Sequence, residues 1–196
     1  MKPKLVAFLL FASLLPAGLQ AQDDEEKKGG FKKENIFIGS ALNLGFSSGI
    51  FQLGANPEIG YSITNWLDAG ISTNINYTSL RYTGYSDRVF NYGGGSFVRI
   101  WPARFLFLSA LPEYNWITIT TKYSNGNPSV SQKLNAGSVL LGAGYGTRIV
   151  GRSYSYFAIM FDALKNTNSP YRDNENRALP IIRAGFAVYL NSHRRR

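Results

Sequence analysis

The chain has 196 residues, a formal charge of +9 and 44% hydrophobic residues, which is room for one domain with enough apolar content to fold. Charged residues make up only 17%, below the roughly 25% usual for soluble domains. With no cysteine and a single histidine, disulfides, thiolate metal sites, cysteine nucleophiles and lipidated cysteines are excluded, little scope is left for histidine triads, and no cofactor is implied.

The N-terminus carries an export signal. Lys2 and Lys4 precede an apolar run, Leu5 to Ala12, which Leu14 and Leu15 extend; Pro16 and Gly18 then break it, and Ala21 closes it. This is the layout of a secretory signal peptide cleaved after Ala21. It is too short for a spanning helix, which needs about 20 apolar residues. Cleavage removes Lys2 and Lys4 and lowers the formal charge from +9 to +7. Residues 22–35 are charged and aperiodic and are expected to be a flexible lead-in. Basic residues cluster only in the tail 191–196, at Arg194, Arg195 and Arg196, so nucleic acid is not an expected partner of the exported chain.

From residue 36 onward the pattern has period two, the mark of strands with one apolar face. Ile36, Ile38, Leu42 and Leu44 alternate with Gly39, Ala41, Asn43 and Gly45. Phe51, Leu53, Ala55, Ile59 and Tyr61 oppose Gln52, Gly54, Asn56, Glu58 and Gly60. In the third stretch Leu67, Ala69, Ile71, Thr73, Ile75 and Tyr77 oppose Asp68, Gly70, Ser72, Asn74 and Asn76. Further strands are expected over about 89–101, 105–121, 133–147, 153–164 and 180–190. The last sets Ile182, Ala184, Phe186, Val188 and Leu190 against Arg183, Gly185, Ala187 and Tyr189.

Each of the eight strands thus has one apolar parity, and its other parity carries glycine, asparagine, serine and charge. The second parity is too polar for an ordinary core. The reading that fits is an all-β, eight-stranded antiparallel up-and-down transmembrane barrel over 36–190, apolar outside and polar inside. The expected connections near 62–66, 102–104 and 147–152 are short, and those near 78–89, 122–132 and 165–179 are long; the first hairpin, at Ser47, Ser48 and Gly49, is short where a long loop is due. Trp66 and Trp101 at the short-turn end, with Tyr77, Tyr92, Trp116 and Tyr123 toward the long loops, are expected to form two aromatic girdles. Pro57 and Pro112 lie inside strands and should mark bulges, and Gly93 to Gly95 should mark a bend.

With this pattern the chain resembles the small outer-membrane β-barrel family of the OmpA/OmpX type, over about 36–190. The final strand carries the most specific likeness. That family ends on a signal read by the barrel-assembly machinery, and Arg183, Gly185, Val188 and Leu190 fall on its defined positions, although Leu190 stands where the family usually has a terminal aromatic residue and 191–196 follow it. The resemblance implies both termini in the periplasm, long loops outside, the cell outer membrane as location, lipid and lipopolysaccharide as surroundings, and a monomer.

Candidate chemistry lies on the inward parity, which carries Glu58, Asp68, Arg99, Glu113, Asp162 and Arg183. Unpaired charge in a narrow lumen is costly, so these side chains should pair. A cross-strand Asp68–Arg99 pair and a mid-height cluster of Glu58, Glu113 and Arg183 are expected. Eight strands leave an interior just filled by side chains, which makes the network structural rather than a gate. Paired carboxylates at Glu58 and Glu113 have no expected cleft in which to serve hydrolysis. Gly142, Gly144 and Gly146 lack dinucleotide spacing, and His193 sits in the polar tail without partners. Tyr82, Tyr85, Arg88, Tyr171 and Arg172, with Tyr123, form an aromatic and basic loop set of the kind found in binding patches. The expected role is non-enzymatic, structural or surface-interacting through the outer loops. The alternatives are a narrow pore for ions or very small solutes, and a soluble lipocalin-like carrier of an apolar ligand.

Overall fold

Alternation of this kind can bury one parity in two ways, and the computed structural model, which describes residues 31–47, 49–172 and 175–190, settles which. Eight strands run up and down in chain order: β1 (Ile36–Ser47), β2 (Ile50–Ser62), β3 (Leu67–Tyr82), β4 (Tyr85–Ala103), β5 (Leu106–Tyr123), β6 (Val130–Gly146), β7 (Tyr154–Asp162) and β8 (Ile181–Tyr189). Each pairs with the next, and β8 pairs with β1, so the sheet is a closed ring. All pairs are antiparallel. A single turn of 3-10 helix, Lys33–Asn35, leads in, and Asn35 is tied to the Ser62 carbonyl at 2.9 Å. The expected export signal, most of the charged lead-in and the tail with His193 lie outside the described residues.

The ring is strongly sheared. Carried through the registers, Phe37 leads to Gly60, Gly70, Phe97, Leu111, Leu140 and Asp162, and then through residue 179 back to β1 at Ser47, ten residues beyond the start. A stagger of that size in an eight-stranded ring tilts the strands by roughly 40° and leaves a lumen that side chains fill. Curvature is tight on the inner face. At Gly95 an added Cβ would stand 1.9 Å from the Pro112 carbonyl oxygen of the next strand, and at Gly144 it would meet the Phe107 ring at 2.2 Å. Only glycine lets the backbone pass there.

The apolar parity faces out. Leu53, Ile59, Ile71, Ile75, Leu108, Phe157, Ile182 and Phe186 are exposed, while Asn56, Asn74, Asn115, Asp68 and Asp162 are among the most deeply buried side chains. On β5 the outward apolar run from Leu106 to Trp116 covers about 25 Å of height, the thickness of the apolar band of such barrels.

Three expectations need correction. The segment 78–89 is not a loop: β3 and β4 pair up to Tyr82 and Tyr85, joined by a two-residue turn at Thr83 and Gly84, whose φ of 91° only glycine adopts readily. The loop expected at 122–132 likewise shrinks to 124–129. Pro57 and Pro112 cause no bulge. The β2–β3 ladder lacks the pairs at Asn56 and Pro57, and the β4–β5 ladder lacks those opposite Leu111 and Pro112, yet the register is the same on both sides of each gap. Each proline removes a donor without adding a residue. The shift in register falls instead between Ile100 and Ala103, beside the short turn.

Candidate functional site

The lumen is built in levels. At the short-turn end Asp68 accepts hydrogen bonds from Ser62 Oγ at 2.7 Å and Trp101 Nε1 at 2.8 Å, and it pairs with Arg148. Arg148 comes from the β6–β7 turn and also donates to the carbonyls of Asn65 and Thr64, spanning the end of the barrel. Ser62 Oγ lies 2.8 Å from the Tyr189 hydroxyl. Around this knot pack Phe37, Phe97, Trp101, Phe107, Tyr154 and Tyr189, all nearly inaccessible. The lower lumen is therefore closed by aromatic rings as well as by charge.

One level up, Arg99 grips Glu58 with two hydrogen bonds, at 2.8 and 2.6 Å, and donates to the Tyr156 hydroxyl at 3.2 Å. Its guanidinium lies 4.6 Å from the ring centroids of both Phe97 and Tyr156. A bidentate pair flanked by aromatic faces is the arrangement that makes a buried arginine tolerable. Above it runs an amide chain: Asn43 to Asn76 at 2.9 Å, Asn74 to Asn115 at 3.0 Å, and Asn115 to Glu113 at 2.7 Å. Tyr171, from the β7–β8 connection, buries its ring beside Glu113 and Arg183. Nε and Nη2 of Arg183 have no hydrogen-bond partner among the described residues.

The β7–β8 connection folds over the mouth. Asp162 accepts from Ser169 Oγ at 2.6 Å and from the Leu164 amide at 3.0 Å. Arg172 donates to the carbonyls of Asp162, Leu164 and Asn176. Ser169 meets Ser138 of the adjacent β6 at 3.1 Å.

The sequence-predicted residues are thus partly regrouped. Asp68 and Arg99 are opposite each other in register, but they do not pair: each prefers a partner further around the ring, Arg148 and Glu58. Glu58, Glu113 and Arg183 form no single cluster, because Arg99 occupies Glu58 while Glu113 and Arg183 face Tyr171. Asp162 is no lumen-network member but the anchor of the β7–β8 connection. Trp101, expected in a girdle, points into the lumen. Tyr171 is buried and Arg172 half-buried within the mouth, where both are engaged by the connection and the lumen and do not stand on an outer loop surface. Arg148 was missed, and the charge balance held the signal. Four inward carboxylates faced only two inward arginines, so two cations had to come from turns; Arg148 and Arg172 supply them.

On the outside, Tyr92 and Trp116 stack with centroids 5.6 Å apart, Tyr77 is half-buried near them, and Trp66 is exposed at a short turn. Tyr123 stands higher, opposite Tyr85 in register. It belongs to the second notable site, the part of β3 to β6 that continues past the mouth as a free-standing wall. On the face continuous with the lumen, Tyr82 and Tyr85 stack at 4.7 Å, with Tyr123 and Val130 exposed nearby. Arg88 is exposed on the opposite face. β6 pairs with β7 only from Leu140 to Gly146. Its upper stretch, from Val130 to Ala136, therefore has a ladder neighbour on the β5 side alone among the described residues.

A closed ring of eight antiparallel strands, polar within and apolar without, is a membrane-spanning β-barrel of the outer-membrane type. The apolar exterior and filled lumen overturn the soluble-carrier alternative. Among solved structures the chain is similar to the attachment invasion locus protein Ail of Yersinia pestis, at 12% identity and a TM-score of 0.45 over 78% of this chain and 95% of that one. It is also similar to the N-terminal β-barrel domain of Pseudomonas aeruginosa OprF, at 11% identity and a TM-score of 0.37, over 78% of this chain and 96% of the other. A third is the translocator domain of the Neisseria meningitidis autotransporter NalP, at 8% and 0.38, over 78% and 86%. These are likenesses of general form; the class rests on the register and burial described above. No protein-family model and no curated protein matches the chain.

Proposed function

We propose that the protein is a non-enzymatic, monomeric barrel of the cell outer membrane whose projecting wall binds an extended segment of an extracellular protein. In this reading the chain is exported with cleavage near Ala21, and the β8 signal at Arg183, Gly185, Val188 and Leu190 is read by the barrel-assembly machinery. The observation that carries the binding role is the free edge of β6 from Val130 to Ala136. An unpaired edge is a template for one more strand, and natural proteins usually cover or shorten such edges. Here it is long, and it borders a face bearing Tyr82, Tyr85 and Tyr123, residues suited to anchoring a partner.

The pore alternative has less support. Arg148, Asp68 and Trp101 close one end of the lumen, and Tyr171 with Ser169 fills the other.

The test uses the full chain folded in detergent, its folding judged by the mobility difference between unboiled and boiled samples. A library of extended peptides is selected against it and against a variant in which residues 120–131 are replaced by an Asn-Gly turn. Peptides that bind only the intact wall and protect the amides of 130–136 from hydrogen exchange are expected. Equal selection by both proteins, together with a measurable bilayer conductance, would overturn the reading in favour of the pore.

A further inference from the structure

The wall has a second face, and its charge is one-sided. Outward positions above Trp116 carry Arg81 on β3, Arg88 on β4, Lys122 on β5 and Lys133 on β6, all exposed. Among the described residues no carboxylate shares that face. Asp87, the acid nearest the tip of the β3–β4 hairpin, falls on the inner parity, where it accepts a hydrogen bond from Thr121 at 2.7 Å. Among the described residues none of the four cations has an ion-pair partner.

Register places Arg81, Arg88 and Lys122 together, with Lys133 to one side. Arg88 lies between Ser79 and Thr120, and the next outward row holds Arg81, Ser86 and Lys122. Arg81 and Lys122 are therefore the diagonal neighbours of Arg88, with Cβ atoms roughly 8 Å away. Lys133 is one row below, level with Thr118. Side chains as long as those of Arg81, Arg88 and Lys122 can reach a common point from such spacings, with the hydroxyls of Ser79 and Thr120 between them, while Lys133 stands about 12 Å from Arg88, within reach of a second phosphate of the same headgroup. Three cations this close repel one another unless an anion joins them.

Height fixes which anion. Tyr92 and Trp116 mark the interface of the apolar band, where aromatic rings settle. Each outward row adds about 7 Å along a strand, or roughly 5 Å of height after tilt. The cations thus stand about 5–15 Å above Trp116, at the depth of the lipid headgroups.

We propose that Arg81, Arg88, Lys122 and Lys133 form a site for the phosphate groups of a phosphorylated lipid headgroup in the surrounding outer leaflet. The site uses side chains of the outer face of the wall, Lys133 of β6 among them, whereas a partner strand would pair with the β6 backbone. Arginine supplies bidentate geometry for phosphate and lysine a mobile point charge.

The probes are bisphosphorylated lipid A, the same lipid stripped of phosphate, and inorganic phosphate, each added to the full chain in detergent and read by native mass spectrometry. The wild-type protein should retain the bisphosphorylated lipid at least ten-fold more tightly than the stripped lipid. Each neutralised cation should weaken retention about five-fold, so Arg81→Gln, Arg88→Gln and Lys122→Gln together should abolish the preference. Tyr82→Ser with Tyr85→Ser, on the opposite face, should leave it intact. Raising salt on the wild-type protein should weaken retention as well, which needs no variant to fold. An unchanged preference in the triple variant or at high salt would overturn the site. Displacement of the lipid by millimolar inorganic phosphate would overturn the lipid as its ligand.

Discussion

The two sides of the ring differ in height and in how completely their polar groups are used. β1, β2, β7 and β8 run for 9 to 13 residues, and β3 to β6 for 16 to 19. A tilted strand crosses a bilayer in about 9–11 residues. The short side is therefore little more than a membrane span, and the long side exceeds one by half again. Below the mouth Arg99, Arg148 and Arg172 are gripped by carboxylate partners, Arg183 being the exception. Above it, Arg81, Arg88, Lys122 and Lys133 and the tyrosines of the tip are left to solvent. The span is fixed by its internal partners, whereas the wall presents groups that nothing inside the molecule requires.

That contrast should survive mutation. The largest losses belong in the lower lumen. Asp68→Asn leaves Arg148 buried without its counter-charge and should cost about 3–5 kcal/mol, read as a lower urea midpoint and a lower temperature for loss of the unboiled gel mobility. Adding Arg148→Met should restore much of that loss, since an apolar replacement of both partners is far less costly than a stranded charge. A mid-height change should be smaller: Tyr156→Phe removes hydrogen bonds to Glu58 and Arg99 but keeps the ring, and should cost about 1 kcal/mol. Gly144→Ala sharpens the comparison differently. Its Cβ would meet the Phe107 ring and a carbonyl, so a loss of about 1–3 kcal/mol is expected from overpacking. At the tip, Tyr82→Ser should change stability by less than about 0.5 kcal/mol while reducing peptide selection by the wall. A tip substitution as damaging as Asp68→Asn would erase the distinction between span and wall.

Much of this was legible in the sequence. All eight strands lie where the alternation put them, because a ring between lipid and a polar lumen imposes period two on every strand. The inward charges were legible for the same reason. Their pairing was not. Sequence neighbours in register suggested Asp68 with Arg99, but in a narrow lumen side chains cross the interior, and the shortest path runs to another wall. Trp101 was misplaced because its nearness to a turn was given more weight than its parity, which is inward. The wall was read as loop because Thr78 to Tyr85 lacks apolar alternation; above the membrane a strand has no lipid face to satisfy. Tyr171 had no local signal beyond composition, since the path of the β7–β8 connection is set by its contacts with strand residues such as Asp162 and Ser138.

The lumen contacts have one more property. Many skip a strand: Glu58 on β2 reaches Arg99 on β4, Asn43 on β1 reaches Asn76 on β3, Asn74 on β3 reaches Asn115 on β5, and Ser62 on β2 reaches Tyr189 on β8. In a flat sheet such side chains start almost 10 Å apart, too far for the asparagine pairs to touch. They meet only once the sheet has curled. Hairpin pairing therefore lengthens the sheet while these groups reward bending it, and the Ser62–Tyr189 contact forms only when the last strand arrives. During insertion the interior would act as a drawstring, tightening with each strand added and drawing the final seam between β8 and β1 together.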